Sequence, residues 1–253
     1  MLFSIITVTF NDAISLSQTK NSVLSQNYKD FEWIIVDGKS TDNTSEILSE
    51  IEIDRVCIIS EKDAGLYDAM NKGIFSANGE YLIFLNSGDI FDNNNLLSKV
   101  AKSINNNPHL IYGDSKEISE QNKIFYKKSR PLWWSEIGMF THHQSIFYNR
   151  KLILDKNIKY NLKYTIAADY DFTLNVIRYS DRCLYLPFSF CIFQQGGISH
   201  KNWKDGLSQQ NEIRKNRLNM PFYKIIIIYI MQYFLHIIRF NITWAYNIFR
   251  FKN

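Results

Sequence analysis

Phe31-Glu32-Trp33-Ile34-Ile35-Val36-Asp37-Gly38 is an almost unbroken apolar run that stops at an acidic residue and a glycine. A strand wetted on one side alternates apolar and polar residues, whereas a run apolar at both parities is covered on both faces. The same form recurs at Phe3–Thr9, at residues 56–59 and at residues 81–85. Helical patterns fill the intervals. The turn pair Asn11-Asp12 precedes a helix with Leu16, Val23 and Leu24 on its apolar side. Ser40-Thr41-Asp42-Asn43-Thr44 reads as a cap, with Ile47, Leu48 and Ile51 continuing a helix, and residues 65–77 form another. This alternation predicts an α/β fold, a mostly parallel central sheet flanked by helices, with amphipathic helices at the C-terminus. Ligands of such sheets sit at the carboxyl ends of the strands. Three polar clusters fall there: Thr9-Phe10-Asn11, Asp37-Gly38-Lys39-Ser40 and Asn86-Ser87-Gly88-Asp89. From about residue 110 onward the pattern is less regular.

The 253 residues are 45% hydrophobic and 15% aromatic, which is enough for one sizeable core and argues against disorder. Cys57, Cys183 and Cys191 are odd in number and lack metal-knuckle spacing, which disfavours a disulfide framework or zinc site and fits a reducing cytoplasm. The N-terminus, Met1 to Val8, reads as a strand and not as a signal peptide.

Charge divides the chain into a body, residues 1–212, and a tail, residues 213–253. Of 29 Lys and Arg side chains, 7 follow Glu212, leaving 22 against 25 acidic side chains in the body. No acidic residue follows Glu212. The tail is saturated with Ile, Phe and Tyr, so its basic charge points to an anionic membrane surface and not to nucleic acid. Gln232, His236, Arg239, Thr243, Asn247 and Arg250 recur at spacings of three and four, one helical stripe on an otherwise apolar helix. The uncharged stretch between Lys224 and Arg239 falls short of the roughly 18–20 residues needed to span a bilayer. Helices lying in the membrane interface are therefore expected. Packing of the tail against the body or a second subunit is the other reading.

Each polar cluster carries two readings. Asp37 could accept the imide hydrogen of uracil with Phe10 stacked on the base, or cap the following helix or shape its turn. Asp89, at the end of the fourth strand, could hold a divalent cation that neutralises a departing diphosphate, or shape a turn. Asp169 and Asp171, in Ala168-Asp169-Tyr170-Asp171, open a helix, where a carboxylate serves as a cap or as a general base. His142-His143-Gln144 and Gly196-Gly197-Ile198-Ser199-His200 are polar islands whose histidines could equally be structural.

Taken together, these clusters resemble glycosyltransferase family 2, of the GT-A fold, from Phe3 to about Ser199. Ser4-Ile5-Ile6-Thr7-Val8-Thr9-Phe10-Asn11 looks like the family's first strand, and Ile35-Val36-Asp37-Gly38-Lys39-Ser40-Thr41-Asp42 like its second. Asp63-Ala64-Gly65-Leu66-Tyr67-Asp68-Ala69-Met70-Asn71-Lys72-Gly73 is similar to the segment near the ribose and diphosphate, and residues 81–89 to the strand ending in the metal-binding acidic motif. Asp169 fills the position of the family's catalytic base. The resemblance implies that Thr9, Phe10, Asp37, Asp63 and Lys72 bind the nucleotide sugar, that Asp89 holds Mn2+ or Mg2+, and that His143, Gln144 and His200 face the acceptor or the diphosphate.

Three departures stand out. The acidic trio reads Asn86-Ser87-Gly88-Asp89, with one carboxylate, and the residue before the base, commonly glutamate, is Ala168. Phe193-Gln194-Gln195-Gly196-Gly197 replaces the family's later basic or histidine-containing element. The expectation is an inverting hexosyltransferase that moves a sugar from a nucleotide-diphosphate sugar, UDP-linked since Asp37 suits uracil, to a lipid-linked or saccharide acceptor in polysaccharide or O-antigen assembly. It would act in the cytoplasm, peripherally on the inner membrane surface, with a homo-oligomer open and nucleic acid excluded. The rivals are a catalytically impaired nucleotide-sugar-binding scaffold and a nucleotidyltransferase; the latter's glycine-rich, lysine-bearing loop is absent at Asn11-Asp12-Ala13-Ile14-Ser15.

Overall fold

The computed structural model describes residues 1–119, 123–194 and 202–241. Four strands, β1 (Phe3–Thr9), β2 (Phe31–Asp37), β3 (Val56–Ser60) and β4 (Tyr81–Phe84), run parallel in the order β3-β2-β1-β4. The sheet then continues through β8 (Ile146–Asn149), β6 (Leu110–Ile118), β9 (Cys183–Gln194) and β5 (Ile90–Phe91), with β7 (Ile124–Lys127) beside β6. β8 lies antiparallel to both β4 and β6, while β6 and β9 are parallel. The regular half of the sequence is thus the parallel block, and the irregular half is where strand direction alternates.

Period two explains why the apolar runs have no gaps. Phe3, Ile5, Trp33 and Ile35 enter one core with Leu16 and Val23 of α1 (Ala13–Leu24). Ile6, Val8, Ile34 and Val36 enter the opposite core with Met70 and Ile74 of α3 (Leu66–Ser76). α2 (Thr44–Ser49) is shorter than its pattern suggests: Ile51 is buried beyond its end, where its N–H bonds Leu48 O. α4 (Leu96–Ser103) and α5 (Arg150–Asp155) complete the flanks. Asp89 does not end β4. The strand stops at Phe84, and Asp89 follows a turn in which its N–H bonds Asn86 O at 2.9 Å and Gly88 has φ +90°.

α6 (Ala168–Arg178) is fastened to α7 (Trp203–Leu218) by a two-pronged ion pair, Arg217 to the fully buried Asp171 at 2.7 and 2.9 Å. α7 runs continuously through the 212/213 boundary expected from charge, with Ile213 and Arg214 buried in the body. α8 (Phe222–Asn241) packs against α7. Among the described residues, no helix is long and apolar enough to cross a membrane.

The turn entering β4 has no spare room. Glu32 accepts from Ser4 Oγ, Asn78 N and Gly79 N, and a Cβ on Gly79 would stand 2.6 Å from the Phe3 carbonyl carbon. Gly79→Ala is expected to lower stability by about 1–3 kcal/mol through overpacking against backbone, read as a lowered denaturation midpoint. An unchanged midpoint would show that this turn is not tightly fixed.

Candidate active site

The carboxyl ends of β1 and β2 are laced together. Asn11 N–H donates to Ser40 Oγ at 2.8 Å, and Asn11 Oδ1 accepts from Thr41 N at 2.8 Å. Asn11 and Lys39 both adopt positive φ to make this approach. Asp37, expected to face a base, is buried, and both its oxygens are engaged: it accepts from Ser40 N and Oγ and from Ser60 Oγ at 2.6 Å. It shapes the loop, which was the alternative reading of that residue. The carboxylate beside the exposed Phe10 ring is instead Asp63: a Cβ on Gly38 would meet Asp63 Oδ2 at 3.0 Å and Phe10 Cδ2 at 3.1 Å. Gly38 therefore lets an aromatic ring and an acid come close together over its backbone, and the Phe10 ring keeps an exposed face beside that acid. Thr9, which precedes Phe10, is buried, and its Oγ1 has no partner. Lys72 does not stand free for a diphosphate; it pairs with Glu61 at 2.8 Å and donates to Lys62 O.

A short 3-10 turn, His143–Ser145, lies across the ends of β4 and β6 and touches both remaining carboxylates. Gln144 Nε2 donates to Asp89 Oδ2 at 2.9 Å. His143 Nε2 lies 3.4 Å from Asn86 Nδ2, and its Nδ1 lies 3.7 Å from Asp169 Oδ2. Ser145 Oγ anchors the turn on Asp114 O at 2.9 Å. Asp89 and Asp169, eighty residues apart in the chain, are thus brought to one place by two adjacent side chains.

Burial sets the charge of each group. It pushes the Asp89 carboxyl up to about 7 and the Asp169 carboxyl up to about 6, and it lowers His143 to about 4. His143 is neutral at physiological pH. With Asn86 Nδ2 donating to Nε2, its ring proton sits on Nδ1 and faces Asp169. Asp169 sits in the first turn of α6, where the helix dipole favours the ionised form, but desolvation outweighs it. Its side chain remains 23% exposed, so one face is open to a ligand. Tyr67, Tyr148 and Tyr160 surround it, and Tyr160 stacks on Phe172 at 4.3 Å. Gln209 of α7 accepts from Ile166 N and Ala167 N, both at 3.0 Å, and so fixes the start of α6.

The donor set offers a divalent cation one buried carboxylate, Asp89, and the buried amide oxygen Asn86 Oδ1, which has no protein partner. Among the described residues there is no cluster of three or more His, Cys, Asp or Glu side chains. That suits a hard cation that takes most of its ligands from substrate phosphates and water, and it does not suit an all-protein cage. His143 and Gln144 were legible as a polar island, but their bridging contacts were not. Asn86 was legible as part of the polar cluster that ends in Asp89, but its contact with His143 was not, and Gln209 carries no local signal, because their partners lie about forty or more residues away. His200 lies outside the described residues.

Residues 4–165 match the family model described as Glycosyl transferase family 2. A PGL/p-HBAD biosynthesis glycosyltransferase of Mycobacterium bovis is 34% identical over 219 residues, which cover 82% of this chain and 79% of that protein. The UDP-Glc:alpha-D-GlcNAc-diphosphoundecaprenol beta-1,3-glucosyltransferase WfgD of Escherichia coli is 25% identical, over 88% of this chain and 89% of its own. In fold, the chain is similar to S. aureus TarS 1-349 solved in complex with UDP-GlcNAc, with a TM-score of 0.69 at 19% identity over 95% of this chain and 74% of that one. The alternating parallel block, the mixed second half of the sheet and these likenesses converge on the GT-A fold, and the chain belongs to glycosyl transferase family 2.

Proposed function

We propose that this glycosyltransferase moves a sugar from a nucleoside-diphosphate sugar to a hydroxyl of a lipid-linked glycan, with inversion at the anomeric carbon. The observation that carries the reading is the joint hold of one turn, His143–Ser145, on Asp89 and Asp169. It supplies a metal-competent acid and a base of raised pKa in a single place, as a single displacement on a diphosphate sugar requires.

Phe10, Gly38 and Asp63 form the end that receives the base, with Asp63 as the acceptor for an imide hydrogen, so a uridine donor is favoured. A uridine donor also agrees with the UDP-Glc in the name of WfgD and the UDP-GlcNAc bound to TarS. Asp89 and Asn86 would hold Mn2+ or Mg2+, which when bound would supply Lewis-acid stabilisation of the leaving diphosphate. Asp169 takes the proton of the acceptor hydroxyl as that oxygen attacks opposite the leaving group. Neutral His143, in contact with Asn86 through Nε2, directs its Nδ1–H toward Asp169. The acceptor of WfgD is a diphosphoundecaprenol-linked sugar, and the basic, apolar tail of this chain suits such a substrate presented at the cytoplasmic face of a membrane in surface-polysaccharide assembly. The body takes in all of α7, and the tail starts at α8.

Asp169→Asn is expected to retain donor binding, seen by calorimetry, while turnover falls by about 10²–10⁴. Near-normal turnover would remove Asp169 from the role of base.

The base acts ionised, so with its pKa at about 6 the turnover of the wild type is expected to fall tenfold per pH unit below that value. A flat acid limb would contradict the assignment.

Asp89→Asn is expected to abolish the cation dependence of donor affinity. In the wild type, cation affinity should weaken as pH drops through about 7, since protonation removes the ligand. A variant with an unchanged manganese response would place the cation elsewhere. Slow hydrolysis of a nucleotide sugar without acceptor separates the catalyst from an inactive scaffold.

A further inference from the structure

Of the expected polar stripe of the last helix, Gln232 and His236 point inward, while Arg239, Thr243, Asn247 and Arg250 lie outside the residues whose side chains are described. Gln232 Nε2 donates to Ile137 O at 2.9 Å and to Gln210 Oε1 at 3.1 Å, while Gln232 Oε1 accepts from Arg214 Nη2 at 2.9 Å. One turn later, the His236 ring stacks on Trp203 at 4.8 Å. Both sides of α8 that a soluble amphipathic helix would show to water and to its core are therefore exchanged. Tyr223, Ile226, Ile227, Ile230 and Phe234, at spacings of three and four, form one outward strip whose members are 40–62% exposed.

The helix cannot roll over to hide this strip. Arg214 is fully buried, and its guanidinium is satisfied by Gln232 together with Gln210, Asn211 and the Glu136 and Ile137 carbonyls. Rotating α8 would withdraw Gln232 from a buried charge and place isoleucines against it, a costly exchange. The polar stripe is thus a fastening, and the apolar strip is left as a surface.

We propose that this outward strip of α8 is the docking surface through which the protein lies on an anionic lipid bilayer. The inference rests on the reading above, in which the acceptor is lipid-linked, and it specifies the face presented to that lipid. Charge selects the occupant. Lys224, next to Tyr223 on α8, and Lys215, in the last turn of α7, are exposed, and no acidic residue follows Glu212. Two copies joined strip to strip would bring like charges together, whereas anionic headgroups complement them and the acyl boundary takes the isoleucines. A helix of 20 residues, about 30 Å long, lies along the interface and anchors the body at a fixed orientation.

The test is sedimentation of the full chain with phosphatidylcholine vesicles, with and without phosphatidylglycerol, for the wild type and for Ile227→Glu/Phe234→Glu. The wild type should bind the anionic vesicles and remain monomeric by light scattering. The double variant should lose about tenfold or more in partitioning, with an unchanged melting midpoint and unchanged transfer to a water-soluble acceptor. Lys215→Glu/Lys224→Glu, which leaves the apolar strip intact, should weaken binding to anionic vesicles and not to neutral ones. Equal vesicle binding by wild type and both variants would overturn the proposal. So would a wild-type dimer that the Ile227→Glu/Phe234→Glu variant dissolves without any vesicle binding. The soluble-acceptor assay on the wild type reports on the transferase reading separately: transfer without vesicle binding would overturn the docking alone, and vesicle binding without transfer would overturn the transferase reading alone.

Discussion

The centre of this molecule depends on how one three-residue turn is held. Ser145 ties His143–Ser145 to the β6 backbone through Asp114 O, and from that anchor Gln144 reaches Asp89 while His143 reaches Asn86 and Asp169. Neither acid is placed by its own neighbours alone. Asp89 closes a turn after β4 that is tied to β1 and α1 through Val8 O, Ser15 O and Thr19 Oγ1, and Asp169 opens a helix of the later half of the chain. The turn at His143 converts two local features into a single cleft. Desolvation keeps His143 neutral, so it meets Asp169 as a hydrogen-bonding group and not as a cation.

Both acids are unfavourable where they stand. A carboxylate whose folded-state pKa is raised destabilises the fold at pH values above that of the unfolded chain, and here both groups are raised by desolvation. The surrounding framework bears this cost. Arg217 on Asp171 and Gln209 on the N–H groups of Ile166 and Ala167, just ahead of α6, hold the helix that carries Asp169, and the aromatic cluster of Tyr160, Phe172 and Phe84 packs beneath it. The catalytic-side helix is therefore secured by α7, a segment that composition alone assigned partly to the tail. An acid kept near pKa 6 is also the better base near neutrality, since proton transfer is most effective when the pKa approaches the working pH.

The parallel block was readable because its physics is local. A run such as Phe31 to Val36, apolar at both parities, can only be a strand covered on two faces, and the turn residues that end it mark the ligand side. The site was legible to the same extent, in which strand ends carry acids. What was hidden depends on long-range partners. Asp37 reads as a binding residue until Ser40 and Ser60 take its oxygens, and Lys72 reads as a phosphate ligand until Glu61 pairs with it. For the last helix, periodicity identified the stripe of Gln232 and His236 but could not say which way it faces, because that is decided by the buried Arg214 of another helix.

The account stands on Asp169 acting as a base across a single displacement, with no carboxylate forming a covalent link to the sugar. The anomeric configuration of the first product, read by proton NMR before any mutarotation or reversal, tests this most directly. Inversion relative to the donor is the predicted result. Retention would mean that a nucleophile precedes the acceptor, and the cleft joined by His143 and Gln144 would then have to work by another route.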